Sequence, residues 1–291
     1  MERLDQFLDR AEALLARIDG MLPSSRVPAP DFDVASAFRW NHVRRALDPV
    51  TNFQRIALSD LIGIDDQKSR IAQNTLQFVK GGTANNVLLS GARGTGKSSL
   101  VKALLNEYAE LSLRVIQIDK QGLVDLPLIV SLVEGRKERF ILYCDDLSFN
   151  ADEVGYQTLK AALDGDLVAF SDNLLIYATS NRRHLMPDYM SDNLATRHEG
   201  DEIHPAESVE EKVSLSERFG LWISFYPFGQ EEYLAIAARW LEHYGWRHGM
   251  TDEVRRAALQ WSLSRGARSG RVASQFARDW CGRQAYIIQS G

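Results

Sequence analysis

Several features that would place this chain in a special class are missing from its sequence. It has only two cysteines, Cys144 and Cys281, so a disulfide scaffold is excluded and a reducing cytoplasm is the expected location. No apolar run reaches the ~18 residues that a membrane-spanning helix needs. The first five residues already include three charged ones, and no apolar export core follows them. We therefore expect a cytoplasmic protein that has no membrane contact.

The chain also lacks a dominant charge. Lys and Arg number 34 and Asp and Glu number 39, so the net charge is 34 − 39 = −5, which gives no sign of a dedicated nucleic-acid-binding protein. Internal repeats and low-complexity tracts are also missing. What is present is an ordinary globular composition, with 45% apolar residues, which argues against intrinsic disorder. A length of 291 residues suggests two domains of about 150 residues each.

Short apolar runs alternate with helical stretches through the middle of the chain. The runs lack an alternation of polar and apolar residues, which is typical of strands buried on both faces of a parallel sheet. The sequence therefore predicts an α/β fold with a five-stranded parallel sheet flanked by helices. The predicted strands are residues 86–90, 114–118, 140–144, 174–178 and 221–225, and the helices are 65–79, 97–110, 123–134 and 154–164.

The two ends of the chain differ from this middle part. Residues 1–20 have the apolar spacing of one amphipathic helix, a proline-containing linker follows, and residues 31–58 give no clear pattern. After Pro227 only helical patterns remain, at 230–244, 251–264 and 270–288. We therefore predict an N-terminal helical extension and linker at 1–57, an α/β domain at 58–227 and a small α-helical domain at 228–291.

A phosphate-binding motif lies between the first predicted strand and the next helix. The segment matches G-x-x-x-x-G-K-[ST] in full: Gly91, Ala92, Arg93, Gly94, Thr95, Gly96, Lys97 and Ser98. Glycines let backbone N–H groups converge on phosphate oxygens, and the helix N-terminus adds free donors. Lys97 is expected to reach the β- and γ-phosphates and Ser98 to ligate Mg²⁺. A glycine-rich turn with a surface lysine is the alternative, but it does not account for the strand–loop–helix context.

Polar residues follow two other predicted strands. Asp145 and Asp146 end the apolar run 140–144, at the sheet edge where ligands bind in such folds. Asp145 is then placed to hold Mg²⁺ through water, and Asp146 to orient or deprotonate the attacking water. Asn181, after the run 174–178, is placed to touch the γ-phosphate or that water. The alternatives are that the two acids cap the following helix and that Asn181 only forms a turn.

Taken in this order, these residues resemble the AAA+ ATPases over about residues 58–285. The resemblance also includes the segment before the loop, with Ile62 and Gly63 at the adenine pocket, and it extends the loop to Ser99. Residues 178–182 resemble the first sensor of that superfamily. Residues 215–220 resemble the block that carries its arginine finger, and residues 264–273 resemble the second sensor on its lid. The chain is still more similar to small stand-alone bacterial AAA+ proteins of undefined cellular role, at residues 74–79, 145–149, 181–185 and 224–228.

The resemblance implies an ATP- and Mg²⁺-dependent ATPase with a sheet of the ASCE type and a C-terminal lid. It implies that Arg218 acts on the nucleotide of a neighbouring subunit, in a head-to-tail ring or oligomer. Arg271 or Arg268 would close the lid over the phosphates. Spacing alone would make each of these arginines an ordinary solvated residue on a helix. The client is expected to be a macromolecule, which the sequence does not identify.

Two features depart from the superfamily pattern. Asp146 stands where a glutamate is usual, so its carboxylate sits ~1.5 Å further back, a distance that matters for catalytic positioning. The acidic stretch 182–217 is long for a connection within a compact domain.

The leading hypothesis is an ATPase that remodels its client, and the alternatives are an ATP-dependent switch or loader with little turnover and a P-loop small-molecule kinase.

Overall fold

The computed structural model describes residues 30–52, 55–149, 154–164, 172–181 and 215–290. The predicted helix at 1–20 and residues 182–214 of the acidic stretch lie outside these ranges. The strands are β1 Ala37–Asn41, β2 Ala46–Pro49, β3 Val87–Gly91, β4 Leu113–Ile118, β5 Arg139–Cys144, β6 Leu174–Ser180 and β7 Leu221–Phe225. The helices are α1 Asp65–Val79, α2 Lys97–Tyr108, α3 Leu126–Val133, α4 Val154–Asp164, α5 Gln230–His243, α6 Asp252–Ser264 and α7 Gly270–Ser290.

The seven strands of the described residues form one sheet in the order β2-β1-β4-β5-β6-β3-β7. Every neighbouring pair is parallel except β1 and β2, which form an antiparallel hairpin. The predicted α/β class, its five parallel strands and its helical C-terminal part are confirmed. The sheet has two strands more than predicted, because residues 37–49 add the hairpin to its β4 edge. Strand β6 lies between β3 and β5, which is the ASCE arrangement.

The central strands are covered on both faces. In β5, Ile141 and Tyr143 belong to one hydrophobic core, whereas Phe140 and Leu142 belong to the other. Helices α1 and α2 and the C-terminal helices contribute to the first core, and α3 and α4 contribute to the second. Because both side-chain sets are buried, the strands show no polar alternation, which is the property that predicted a parallel sheet.

The hairpin extends the second core at the sheet edge. Phe38 and Trp40 are buried on its inner side, and the indole Nε1 of Trp40 donates to Oδ2 of Asp125 at 3.0 Å. Phe32, just before the hairpin, packs edge-on against both Phe38 and Phe140, with ring centroids 5.0 and 4.8 Å apart. Aromatic packing of this kind stabilises the hairpin on the parallel sheet.

Helices α5 to α7 pack on one another and on the loop that follows β3. The hydroxyl of Tyr233 in α5 donates to the carbonyl of Ala258 in α6 at 3.1 Å. At the start of α7, the backbone N–H of Gly270 donates to the carbonyl of Gly94 at 2.8 Å. The start of α7 therefore contacts the phosphate-binding motif directly. Within the described ranges, no helix is long and apolar enough to cross a membrane.

Candidate active site

The site lies at the carboxyl ends of three adjacent strands. The motif loop follows β3, Asn181 follows β6, and the two aspartates follow β5. Because β6 lies between β3 and β5, Asn181 is placed between the loop and the acids. The sheet order thus brings together residues that are up to 90 positions apart in the chain, counted from Gly91 to Asn181.

Three glycines give the loop its shape. Gly91, Gly94 and Gly96 have φ angles of 126°, 73° and 98°, which side-chain-bearing residues rarely adopt. A Cβ atom on Gly91 would lie 2.0 Å from the carbonyl oxygen of Phe225 in β7, so no larger residue fits there. Gly96 is the N-cap of α2, and the first helical N–H groups therefore face the cleft without helical partners. This is the backbone geometry of a phosphate cradle.

Lys97 is folded back against the loop. Its side chain is nearly buried, and Nζ donates to the carbonyls of Gly91 at 2.8 Å and Ala92 at 2.7 Å. A third bond runs to Oδ1 of Asn181 at 3.1 Å. Burial lowers the pKa of Lys97 from 10.5 to about 8, although the charges of the two nearby aspartates oppose the shift.

Asp145 is held by three hydroxyl groups. Oδ1 accepts hydrogen bonds from Tyr143 at 2.6 Å, Thr179 at 2.7 Å and Ser98 at 2.8 Å. Partial burial raises the pKa of Asp145, but the hydrogen bonds from Tyr143, Thr179 and Ser98 outweigh it, and the net pKa is lowered. Asp145 is therefore a carboxylate at neutral pH.

Asp146 is held differently. It has a positive φ of 53°, and its backbone N–H donates to Oγ1 of Thr179 at 2.8 Å. Its carboxylate accepts a bond from Nδ2 of Asn181 at 2.5 Å. Asn181 consequently joins the ammonium of Lys97 to the carboxylate of Asp146 through the two ends of one amide.

These groups open into a cleft of about 1210 Å³ between the sheet edge and the C-terminal helices. Its described lining includes the loop from Arg93 to Ser99 together with both aspartates and Asn181. Apolar side chains line it as well: Ile56, Leu61, Ile62, Ile64, Phe228, Ile236 and Trp240. Gly63 is not part of the described lining. It lies next to Phe228, and a Cβ on Gly63 would lie 3.3 Å from the Phe228 ring.

The residues present fit a magnesium–triphosphate group. Ser98 and Asp145 offer the oxygen ligands that Mg²⁺ prefers, at the end of the glycine cradle. In the described parts of the chain, no three His, Cys, Asp or Glu side chains are grouped as a metal site. A cation at Ser98 and Asp145 would therefore need phosphate oxygens and water to complete its coordination, as Mg²⁺ at nucleotide sites usually does.

The structure separates the two predicted lid arginines. Arg271, the second residue of α7, lines the cleft. Arg268 precedes the helix, is exposed, and is not part of the described lining. The start of α7 is fixed against the loop, because a Cβ on Gly94 would lie 2.9 Å from Oγ of Ser269.

Arg218 lies outside the described lining of the cleft. It follows a short helical turn before β7, and its Nε donates to Oδ1 of Asp164 at the end of α4, at 2.5 Å. The side chains of Arg218 and Asp164 are 23% and 32% exposed, so both remain accessible at the surface. Among the described residues, Arg218 is therefore not part of the cleft that the other predicted site residues line.

A family profile described as "Protein of unknown function (DUF815)" matches residues 33–284. The chain belongs to this family. No curated protein matches the chain significantly.

Solved structures resemble this DUF815 chain in fold. A point mutant of RuvB from Thermotoga maritima has a TM-score of 0.52 and 16% identity, covering 76% of this chain and 63% of the RuvB chain. The T. maritima RuvB structure titled as a Holliday junction branch migration motor gives 0.46 and 14%, covering 77% and 71%. C. elegans PCH-2 gives 0.48 and 18%, covering 75% and 63%. The DUF815 chain has the AAA+ ATPase fold, and it spans 63% of the length of the first RuvB chain.

Sequence reasoning missed two contributors to the DUF815 site. The sequence pattern predicts Tyr143 only as part of an apolar strand. The signal for its role was a hydroxyl-bearing side chain two residues before the acid Asp145. Helix α5 lines the cleft with Trp240, and its Arg239 forms an ion pair with Asp60 at 3.0 Å. Only the periodicity of α5 was visible in the sequence, and periodicity does not indicate which helix face covers a ligand.

Proposed function

We propose that this protein binds Mg²⁺–ATP in the cleft and hydrolyses it. The contact chain from Lys97 through Asn181 to Asp146, beside the bonded pair Ser98 and Asp145, is the observation that carries the proposal. It brings a cation, an amide and two carboxylates to the end of a glycine cradle, and phosphoryl transfer requires these groups together.

Each group has a role that its surroundings suit. The loop N–H groups and Lys97 bind the phosphate oxygens, and Asn181 orients the attacking water beside Asp146. Asp146 then takes the proton of that water as general base. Ser98, and Asp145 through water, would hold Mg²⁺, which would supply positive charge to the β- and γ-phosphates.

The remainder of the cleft suits the nucleoside and the lid. The apolar side chains around Ile62 and Phe228 supply the surface on which an adenine ring packs, and Gly63, which has no Cβ, leaves room for the ring of Phe228. We assign the lid contact with the phosphates to Arg271 and not to Arg268, because Arg271 belongs to the described lining of the cleft and Arg268 does not.

We place Arg218 in the site of a neighbouring subunit. It is anchored at the surface by Asp164 and lies outside its own described cleft lining, as a trans-acting residue requires. A head-to-tail oligomer, in which each subunit supplies Arg218 to the next, would complete every site. Movement of the lid against the core would then remodel a macromolecular client.

A second candidate is an ATP-dependent switch with little turnover. It is favoured by the geometry of Asp146, whose shorter carboxylate is engaged by Asn181 and whose backbone is in the left-handed region. If Asn181 keeps that carboxylate, Asp146 cannot act as general base toward the water. The protein would then bind ATP but hydrolyse it little or not at all, as a switch does.

Complementation between two inactive variants tests the proposal. Lys97→Ala should not bind nucleotide but keeps Arg218, whereas Arg218→Ala should bind nucleotide but lacks the trans-acting group. Each variant alone should have almost no ATPase activity, and a mixture should exceed the sum of the two. Arg256→Ala, which removes an exposed arginine of α6, is the matched control and should keep full activity.

The result also separates the two candidate functions. Wild-type turnover that rises more steeply than protein concentration supports the oligomeric ATPase. Tight ATP binding without turnover at any concentration favours the switch. Absence of ATP binding in the wild type, or normal ATP binding by Lys97→Ala, would refute both.

A further inference from the structure

Tyr143 is an unexpected residue in the middle of a hydrophobic strand. It is 5% exposed, and its neighbours in β5 are the apolar residues Leu142 and Cys144. A phenylalanine would fill the same space without a polar group. A buried tyrosine hydroxyl costs free energy unless it is hydrogen-bonded. Here the hydroxyl donates to Oδ1 of Asp145 at 2.6 Å.

Thr179 reaches the same oxygen from the neighbouring strand. Its Oγ1 accepts the backbone N–H of Asp146 at 2.8 Å, which leaves its proton to donate to Oδ1 of Asp145 at 2.7 Å. Thr179 is 2% exposed. Two buried hydroxyls on two strands of a rigid sheet therefore fix one oxygen of Asp145.

The third donor to that oxygen has another role. Ser98 Oγ donates to Oδ1 at 2.8 Å from the solvent-exposed side, and Ser98 is the proposed protein ligand of magnesium. A carboxylate oxygen has two lone-pair directions, so three donors crowd it. If Ser98 turns to a metal, Tyr143 and Thr179 can still hold Oδ1 in the same place.

We propose that Tyr143 is a positioning residue for the magnesium site, acting with Thr179. The two hydroxyls hold Oδ1 of Asp145, which leaves Oδ2 for the water shell of the metal. This inference rests on the proposed nucleotide function, and it gives a role to Tyr143, to which the AAA+ resemblance assigns none. Groups that orient a metal ligand in this way typically change metal affinity by about 10- to 100-fold when they are removed.

The chain supplies a matched control one strand away. Tyr177 in β6 stands beside Tyr143 in register, is also buried, and also has a hydrogen-bonded hydroxyl. That hydroxyl pairs with Asn74 at 3.1 Å and Thr75 at 2.8 Å, away from the acids. Tyr177→Phe therefore removes the same atom from the same sheet without touching Asp145.

The experiment measures nucleotide affinity with and without metal. The dissociation constant of the nonhydrolysable analogue adenylyl imidodiphosphate is determined by calorimetry in excess Mg²⁺ and in EDTA, and the ratio gives the magnesium-dependent gain. Tyr143→Phe should reduce this gain about tenfold or more and leave the affinity in EDTA within about twofold. Tyr177→Phe should leave the gain unchanged.

The other outcomes overturn the inference. A gain in Tyr143→Phe equal to that of the wild type removes the positioning role. An equal loss in both buffers assigns Tyr143 a purely structural role. Wild-type binding without a magnesium gain refutes the proposed metal site, and wild-type failure to bind refutes the proposed function itself, so these failures are distinguishable.

A second pair of variants decides the question if Tyr143→Phe does not fold. Thr179→Val removes the other clamping hydroxyl while keeping the shape of the side chain, and Thr179→Ser keeps the hydroxyl. The magnesium-dependent gain should fall in Thr179→Val and be retained in Thr179→Ser. Equal gains in the two variants would overturn the proposal.

Discussion

Raising the pH should weaken nucleotide binding through Lys97. Burial against the loop lowers its pKa from the ordinary 10.5 to about 8 in the free protein. Above pH 8 the amine is therefore mostly neutral, and a phosphate can be bound by a charged Lys97 only after the protein takes up a proton. The terminal phosphate of the ligand ionises near pH 6, so its own charge is constant over this range.

The size of the effect follows from the shifted pKa. Each pH unit above about 8 should weaken the apparent affinity about tenfold, for as long as the bound lysine remains protonated. Between pH 7.5 and 9.5 this amounts to about a 25-fold increase in the dissociation constant. Proton uptake on binding should rise over the same range from about one quarter of a proton to nearly one per site.

Calorimetry in buffers of different ionisation enthalpy measures both quantities. Lys97→Arg is the control, because arginine stays protonated throughout the range. Its affinity is expected to be lower at neutral pH, but it should not change further with pH and should show no proton uptake. A wild-type affinity that is constant from pH 7.5 to 9.5, or an equal slope in Lys97→Arg, would show that the lysine is not the group responsible.

Three further outcomes are expected. Asp146→Glu should raise steady-state ATP turnover by about tenfold or more, since it moves the carboxylate toward the water; lower turnover would mean that the shorter side chain suits this site. Asp164→Asn should change the concentration at which ATPase activity saturates, because it removes the carboxylate charge that pairs with Arg218 within its own subunit; an unchanged curve would argue against the trans role. Gly91→Ala should greatly reduce the thermal unfolding midpoint, because its Cβ would meet the β7 backbone at 2.0 Å. Gly135→Ala is the control, because a Cβ on Gly135 would meet no atom within 4 Å and should cost only the roughly 1–2 kcal/mol of a positive φ. Similar losses of stability in the two variants would contradict the observed packing.

The parallel sheet and the loop were predictable because their signals are local. A strand that is covered on both faces reads as an unbroken apolar run, and the loop motif is contiguous from Gly91 to Ser98. The hairpin at residues 37–49 was not predicted, although Phe38 and Trp40 alternate with polar neighbours as in a half-buried strand. Its two strands have five and four residues, and Phe38 is stabilised by packing on Phe32, which in turn packs on Phe140, a contact that no local pattern reveals.

Side-chain partners were the part that the sequence left open. Spacing along the chain could not separate Arg268 from Arg271, because the choice depends on where α7 begins and on the contact of Gly270 with Gly94. The bond between Arg218 and Asp164 joins positions 54 residues apart and depends on how α4 and β7 lie relative to each other. Such contacts are fixed by tertiary packing, which spacing along the chain does not determine.

The two adjacent aspartates are held in ways that suit different tasks. Asp145 is fixed by buried hydroxyls on a rigid sheet, which suits a group that must keep a metal in place. The carboxylate of Asp146 is engaged by Asn181, and that amide also accepts a bond from Lys97. A triphosphate that draws Lys97 away would therefore remove one partner of Asn181 and free the amide to turn toward the phosphate. Asp146 would then be released only when nucleotide is bound, so the contact chain would link ATP binding to the activation of water.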